Sequence, residues 1–597
     1  MVQYPLMDRI SSLFDFHTRV HRAGRWGTYA FLLSITIALY GASLYFNFVW
    51  DDSIYIRENY WIRSLDWIHI RAIWTNSYLG HYAPLHHTLL SLLYRVSEME
   101  PFGYHLGQVL IHSACVCLLY SLLNKIESAR VAFLATVLFA VHPTNIETVA
   151  WISETKSTLS LLLVLLSFWF FIRFRETNRP FHFALVAIFM VCSALAKINT
   201  VVAPVIFLLY DYKAGDSFKS LRWRSLAILF VLSGMLVVVH VLSFGNSGEM
   251  LDGSPYSGLG TRLMNFPLLL SFYLQMMVLP FRLSAWELFP VQQSFSWIVA
   301  LGWIGLALLL VLLLRAGRET QFWALWILVF LLPVLQIVAF PIWVADRYLY
   351  IPLIGGATLA ARMFFRCWGR LQQPWPRWAL GALAATAIAT LAWQTHRHLP
   401  AWRDELSLWS ATIPTCMTSA YCHSSFGLAL MNAGQLQRGG DELVRAVELQ
   451  PTPLFLMYLG DALTRSARNY PEAVRIYLLA LKDAKPPGQD IGGPRIAKIH
   501  AKLARAYILS GQLDLAGQAI QTGGKYDWRY PGIWVMDVFL QWKRGNSDGA
   551  RSSLSALISM LGQDSQVDGM VDQYWGDRGE TRKMLAELRP INSTIPK

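Results

Sequence analysis

Two adjacent carboxylates, Asp51 and Asp52, follow directly on an apolar run at 28–48 (TYAFLLSITIALYGASLYFNF). Ionisable groups at the edge of a membrane are costly to desolvate and add nothing to packing, so they point to function. Further chemistry-bearing residues recur at the ends of later apolar runs: His142, Glu147, Glu154, Lys156, Lys197, Glu287 and Asp346-Arg347, with Tyr82, His86 and His87 in the stretch after the first run. Carboxylates and cations gathered on one face suit a site that activates a nucleophile and holds an anion. A carboxylate removes a proton from an acceptor hydroxyl. A cation holds a phosphate leaving group and stabilises its growing charge. Each residue also has a plainer reading. A carboxylate at a span end is often only solvated, and Lys197 and Arg347 can snorkel as interfacial anchors. His86 and His87 read as structural, as do His105 and His112, seven apart on one helix face with no carboxylate partner evident.

The elements that must position these residues are apolar helices. The chain has 597 residues, 54% hydrophobic and 15% charged, with mean hydropathy +0.37 and 24 Trp. A soluble chain would carry about a quarter charged residues. Eleven spans are expected near 28–48, 104–123, 130–143, 157–173, 181–195, 199–212, 224–243, 297–314, 321–340, 348–364 and 377–394, each near the ~20 residues that a crossing helix needs. The basic loops fall on one side if the N-terminus is cytoplasmic. Residues 1–27 then form a cytoplasmic segment, read as leading into a retained signal anchor. Residues 49–103 form the first outer loop, with an amphipathic piece at 84–97. Counting 262–280 as a span would break the parity of the basic loops, so it is expected to be a re-entrant or interfacial helix on the outer side.

After Pro400 the character changes. Residues 400–597 hold no spanning segment, and 401–597 carry 22 Lys+Arg against 19 Asp+Glu. Small and apolar residues recur there with a period of about 34 residues: Gly427, Leu430, Leu443, Ala446 and Pro451, then Gly460, Ala473, Tyr477, Ala480 and Pro486, then Ala504, Tyr507, Ala516 and Ile520, then Ala550 and Leu554. This resembles a tetratricopeptide array, which stacks into a concave surface that binds peptide or protein. The nearly balanced charge predicts recognition by groove shape and hydrogen bonds more than by long-range attraction. Cys416 and Cys422 lie just beyond the last span; a paired and an unpaired state are both open. No basic patch marks a nucleic-acid partner.

Six motifs in order carry a resemblance: FVWDDSIYIREN; HYAPLHH with YHLGQVLIH; HPTNIETVAWISETKS; AKINTVVAPVIFLLYDY; RLMNFPLLLSFYLQMMVLPFRLSAWELFP; and DRYLYIPLIG. With the repeats that follow, the chain resembles bacterial relatives of the transmembrane and tetratricopeptide-repeat O-mannosyltransferases, within the GT-C class of glycosyltransferases. The resemblance implies an all-α polytopic bundle, 28–399, followed by an exported repeat domain, 400–597. It implies an inverting transfer from a polyprenyl-phosphate-linked sugar to a Ser or Thr hydroxyl of an exported protein, at the plasma (inner) membrane and on its periplasmic side, with the repeats binding the acceptor. Asp51 or Asp52, with Glu147, would act on the acceptor. Arg347, Lys197, Lys156 and His142 would hold the lipid phosphate, and Tyr82, His86, His87 and Glu287 would support the acceptor or the loops. A divalent cation, Mg2+ or Mn2+, on Asp51 and Asp52 is left open. The family's ERKD becomes Glu154-Thr155-Lys156-Ser157, and Trp50 stands where Tyr or Asn is usual. Two other readings stay open: a transferase of the same class acting on oligosaccharide, lipid or glycan, and a catalytically silent scaffold that assembles partners through its repeats.

Overall fold

A computed structural model describes residues 24–78, 80–215, 222–245, 258–338, 342–482, 493–561 and 567–589. The expected cytoplasmic segment falls almost wholly outside them, as does Pro486 of the second repeat. The described residues are all-α: no strand occurs among them, only an isolated bridge between Tyr78 and His81. The chain divides into two units, Met1–Ala411 and Thr412–Lys597.

In the first unit α1 (Gly24–Tyr40) runs into a 3-10 turn, Gly41–Tyr45. It is followed by α2 (Trp67–Thr75), α3 (Pro84–Ser97), α4 (Pro101–Ile126), α5 (Ala129–Val141), α6 (Asn145–Ala150), α7 (Thr155–Thr177), α8 (Pro180–Ala196), α9 (Ala203–Lys213) and α10 (Trp223–Gly245). Then come α11 (Leu259–Val278), α12 (Trp297–Arg315), α13 (Arg318–Leu331), α14 (Pro352–Arg370), α15 (Pro374–His398) and α16 (Glu405–Thr412). Proline punctuates the starts: Pro84, Pro101, Pro180, Pro352 and Pro374 open their helices, where the missing N–H costs nothing.

Among the described residues five helices are long and apolar enough to cross a membrane: Trp26–Tyr45, Pro101–Ile126, Ile152–Thr177, Trp223–Ser243 and Trp297–Arg315; Ala129–Val141 and Pro180–Ala196 are shorter apolar helices. The chain is a membrane protein on these helices. Only 6% of the α12 window is buried inside the protein, which marks that helix as lipid-facing. Several expected spans are shorter than their apolar runs, and proline accounts for this. The 321–340 run ends as helix at Leu331, just before Pro333, and the 348–364 run starts as helix only at Pro352. The second break leaves the Asp346–Leu349 turn, where Asp346 and Arg347 enter the bundle. The 262–280 stretch lies, up to Val278, on one continuous helix, α11 (Leu259–Val278), about 30 Å long at 1.5 Å per residue. Its buried Leu269, Leu270, Tyr273 and Met276 pack on Leu331, Val334, Val344, Tyr348 and Leu349, which fixes the turn carrying Arg347.

The second unit stacks antiparallel helix pairs: α17 (Ala420–Asn432) with α18 (Leu436–Leu449), α19 (Pro453–Ala462) with α20 (Tyr470–Leu481), α21 (Gly493–Leu509) with α22 (Leu513–Asp527), α23 (Pro531–Lys543) with α24 (Ser547–Leu561), and α25 (Val567–Trp575) with α26 (Arg578–Leu588). The small residues of the repeat sit where helices touch. A Cβ on Gly427 would lie 2.8 Å from the Gly439 carbonyl, and one on Gly460 would lie 2.5 Å from the Tyr477 ring. Buried Ala473, Tyr477, Ala504, Ala516, Phe539, Ala550 and Leu554 run through one continuous core. At the head of this unit Cys416 and Cys422 form a disulfide, with Cα atoms 6.3 Å apart.

Candidate active site: carboxylates and cations on converging turns

The charged residues sit on short turns at helix ends. Asp51 and Asp52 follow the turn after α1; Glu147 lies on α6, and Glu154 ends the Ile152–Glu154 turn. Lys156 is in the first turn of α7, Lys197 caps the C-terminus of α8 in an extended conformation, and Arg347 lies in the Asp346–Leu349 turn. Helices of fixed length hold these turns, so the side chains meet although 296 positions separate Asp51 from Arg347.

Glu154 is the hub. It is 2% exposed. One carboxylate oxygen accepts from Lys197 Nζ at 2.9 Å and from the Ser157 hydroxyl. The other lies 3.4 Å from Lys156 Nζ and 3.7 Å from Arg347 Nε. Lys197 also donates to Ser157 Oγ at 2.6 Å. Burial holds the Lys197 ammonium below its ordinary value, and Glu154 works against that shift. Arg347 pairs with Glu147 through Nη1, and its backbone N–H donates to the other Glu147 oxygen at 2.8 Å. Its guanidinium lies 5.8 Å from the ring centre of Trp50, 5.4 Å from Trp151 and 5.2 Å from Tyr348. Burial pushes the Glu147 carboxyl up, and Arg347 pulls it back. Three cations therefore converge on two buried carboxylates.

The two aspartates differ. Asp52 is fully buried. Its Oδ1 accepts the Ser153 N–H (2.8 Å) and hydroxyl (2.5 Å), and its Oδ2 accepts the Val49 N–H (3.0 Å). Asp52 thus ties the 49–52 turn to the turn that carries Glu154. Burial raises its carboxyl to about 7 in spite of these donors. Asp51 keeps part of its surface open, with Lys156 and Arg347 in Coulombic reach. Burial raises its carboxyl too, and those cations lower it.

An aromatic floor holds the aspartate turn. Trp50 has a left-handed backbone (φ 55°), a strained conformation for a bulky residue. Its indole stacks on Trp151 at 4.5 Å and 8°, with Trp409, Trp286 and Trp402 around it. Glu405 accepts the Trp50 N–H at 2.7 Å and the Trp409 indole N–H at 3.0 Å. That contact from α16 clamps the strained turn.

The remaining sequence-predicted residues lie around this cluster rather than in it. His142 is buried with both nitrogens engaged, Nδ1 with Thr144 Oγ1 (2.8 Å) and Nε2 with the Met277 carbonyl (3.1 Å). Burial lowers it to about 4, so it is neutral at pH 7 and ties α11 to the Glu147 segment. His86 and His87 are buried against Tyr55, whose ring centre lies 5.0 Å from Lys156 Nζ. Burial holds His86 well below the ordinary histidine value and His87 at about 3. Both nitrogens of His86 are buried with no hydrogen-bond partner among the described residues. Tyr82 donates to the Trp74 carbonyl at 3.0 Å, in the segment between α2 and α3. Burial raises the carboxyls of Glu287 and Asp346, and Glu287 lies close enough to raise Asp346 further. Nothing in the sequence alone points to Ser153, Trp151 or Glu405 here. Glu154 stood in view, but its role as the shared partner of three cations is tertiary.

A divalent cation on the aspartate pair does not fit these donors. Three hydrogen-bond donors already face the Asp52 oxygens, Lys156 and Arg347 flank Asp51, and no group of three or more His, Cys, Asp or Glu suited to a metal occurs among the described residues. No step is assigned to a metal.

A family profile described as dolichyl-phosphate-mannose-protein mannosyltransferase matches residues 81–243, which carry Glu147, Glu154, Lys156 and Lys197. A protein O-mannosyl-transferase of Caenorhabditis elegans is 25% identical over 456 residues, 70% of this chain and 62% of that protein. One of Drosophila melanogaster is 23% identical over 544 residues, 75% of this chain and 58% of that protein. A human one is 30% identical over 211 residues, 31% of this chain and 23% of that protein. The chain spans about three fifths of the length of the first two relatives. Through these matches, and through the charged turns that lie within them, the chain is related to the protein O-mannosyl-transferase family.

Proposed function

We propose that this protein is a membrane glycosyltransferase that moves a sugar from a polyprenyl-phosphate carrier to a Ser or Thr hydroxyl of an exported protein. The observation that carries this reading is the convergence of one open carboxylate, Asp51, with three cations organised by Glu154 and Glu147. Asp51 takes the proton of the acceptor hydroxyl as its oxygen attacks the anomeric carbon. The bond from that carbon to the phosphate oxygen breaks, and its electron pair leaves on the phosphate. Attack opposite the leaving group inverts the anomeric centre. Lys156, Lys197 and Arg347 face the phosphate and stabilise the charge that grows there. A base with a raised pKa is better matched to neutral pH, and burial moves Asp51 in that direction.

Asp52 positions Asp51 rather than reacting, since its oxygens are already taken by Val49 and Ser153. The altered ERKD motif keeps an intact charge network: Glu154 and Lys156 remain, and Ser157 bridges Glu154 to Lys197. The first unit is the catalytic domain, and the repeat unit is exported and binds the acceptor. The Cys416–Cys422 disulfide supports an oxidising, extracytoplasmic location for the head of that unit. For a bacterial cell the reading corresponds to an inner-membrane protein with its site on the periplasmic side.

The test is the full-length protein in lipid nanodiscs with a polyprenyl-phosphate sugar and a Ser/Thr peptide, read by intact mass. The relatives are named for mannose transfer, so the mannose carrier is the first donor to try. A sugar adduct on the peptide, lost in Asp51→Asn, is the expected result. Neither transfer nor donor hydrolysis by the wild-type protein across a panel of polyprenyl-phosphate sugars would overturn the reading.

A further inference from the structure

Helix α21 lines the repeat unit with one open stripe. From Ile496 to Ile508 its residues Ile496, Ala497, Ile499, Ala501, Leu503, Ala504, Ala506, Tyr507 and Ile508 are buried. His500 turns to another side and stacks on Tyr526 of α22. The positions left exposed or half-buried are Arg495, Lys498, Lys502 and Arg505, spaced three, four and three apart, so they lie on one helix face. Every one is basic. Among the described residues Asp461 of α19 lies at this face: it accepts the Tyr477 hydroxyl at 2.7 Å and pairs with Lys502. Lys502 also feels Lys498, and Arg505 feels Arg465, so cations crowd one another around a carboxylate already engaged.

Arg505 is the telling member. Its Nε is buried with no hydrogen-bond partner among the described residues. Its guanidinium lies 5.9 Å from the Trp575 ring centre, and a Cβ on Gly576, whose φ is 80°, would sit 2.9 Å from Nη2. Glycine therefore leaves room for the fork at a backbone conformation that it alone adopts freely. The Nε without an acceptor is costly on a side chain that stays half-buried, and a carboxylate meeting this guanidinium would offset that cost.

We propose that the α21 stripe is a docking groove for an acidic, extended segment of the exported acceptor, a refinement that rests on the repeats being the acceptor-binding domain. From Arg495 to Arg505 the stripe runs about 15 Å, at 1.5 Å per helical residue. That length takes about four or five extended residues, at about 3.3 Å each. The occupant carries two or more Asp or Glu within that span, one of them meeting Arg505. Near-balance of charge over the unit hides this, because acidic residues elsewhere have cations of their own, as Glu472 has Arg475 and Asp514 has Arg544.

The test uses the full-length protein in nanodiscs and two fluorescein-labelled nonapeptides, one with three Glu and one with Gln in their places. Fluorescence anisotropy should show the Glu peptide binding at least tenfold tighter, with affinity falling as NaCl rises from 50 to 300 mM. Arg495→Glu and Lys498→Glu, at positions outside the buried core of α21, should each weaken it severalfold. Arg505→Ala should abolish the preference, and Arg505→Lys should restore it only in part. Equal affinity for both peptides, or binding that ignores Arg495→Glu and Lys498→Glu, overturns the proposal. The acceptor-domain reading is separated by a second readout, transfer to a Ser/Thr peptide fused to either nonapeptide. If the Glu peptide binds but does not raise transfer, the groove stands and the acceptor role falls. If neither nonapeptide binds but deleting the repeats still removes transfer to a protein target, the groove falls and the role stands.

Discussion

Replacing Arg347 separates what the guanidinium does for the fold from what it does for the substrate. Arg347→Met keeps much of the length and packing of the side chain and removes its charge. Glu147, 2% exposed, loses its paired cation, and Glu154 loses one of three. Breaking a buried pair from one side costs about 3–5 kcal/mol. Burial already pushes the Glu147 carboxyl up, and removing Arg347 takes away the cation that pulls it back, so Glu147 is protonated more readily in the variant. The second variant, Glu147→Gln with Arg347→Met, removes both charges. Replacing a whole buried pair by neutral groups is often near neutral for stability, so most of the loss should return. The backbone N–H at position 347 keeps an acceptor in the amide oxygen of the substituted side chain. Thermal unfolding in detergent reads the fold, and initial rates across donor concentration read the site. The single variant should lose both. The double variant should recover melting and still show transfer lowered tenfold or more, since a charged contact to the donor phosphate is worth about 1.5–3 kcal/mol. If the double variant regains wild-type donor dependence, Arg347 is a scaffold for Glu147 and does not hold the phosphate.

Asp51→Asn should lower turnover by about 10²–10⁴ with melting unchanged, whereas Ser153→Ala, which takes one donor from Asp52, should leave reduced but measurable turnover; equal loss in both would show that the two aspartates are not divided in role. The base must be ionised and burial raises Asp51, so kcat/KM should rise with pH along a limb whose midpoint lies above the ordinary ~3.9 of aspartate; a rate independent of pH from 4 to 8 speaks against Asp51 as the base. Trp50→Ala removes the stack on Trp151 that holds the left-handed turn, and should cut turnover more than donor affinity, measured as kcat against KM. Single cysteines placed at Lys525 and Arg544 should react with a membrane-impermeant maleimide from outside intact cells; labelling only after lysis places the repeats on the cytoplasmic side.

The apolar runs and the 34-residue repeat determine an all-α membrane bundle and a helical array from the chain alone, because helix length and the burial of one face depend on local composition. The residue types that could do chemistry are equally visible there, since charges beside apolar runs are conspicuous. Their division of labour is not. Asp51 and Asp52 are chemically identical neighbours, and only the donors from Val49 and Ser153 separate a positioning carboxylate from an open one. The resemblance sets His142 among the phosphate ligands, and its nitrogens are engaged by Thr144 and Met277, the latter 135 positions away. Glu154 becomes a hub because three turns far apart in sequence meet on it. Total charge in the repeats suggests no electrostatic preference; the spacing of Arg495, Lys498, Lys502 and Arg505 sets them on one face of α21, and only the stacking of the helices decides that the opposite positions are the buried ones. Hydrogen-bond partners and the local density of charge depend on which surfaces fold against each other, so they belong to the tertiary structure; periodicity and length belong to the chain.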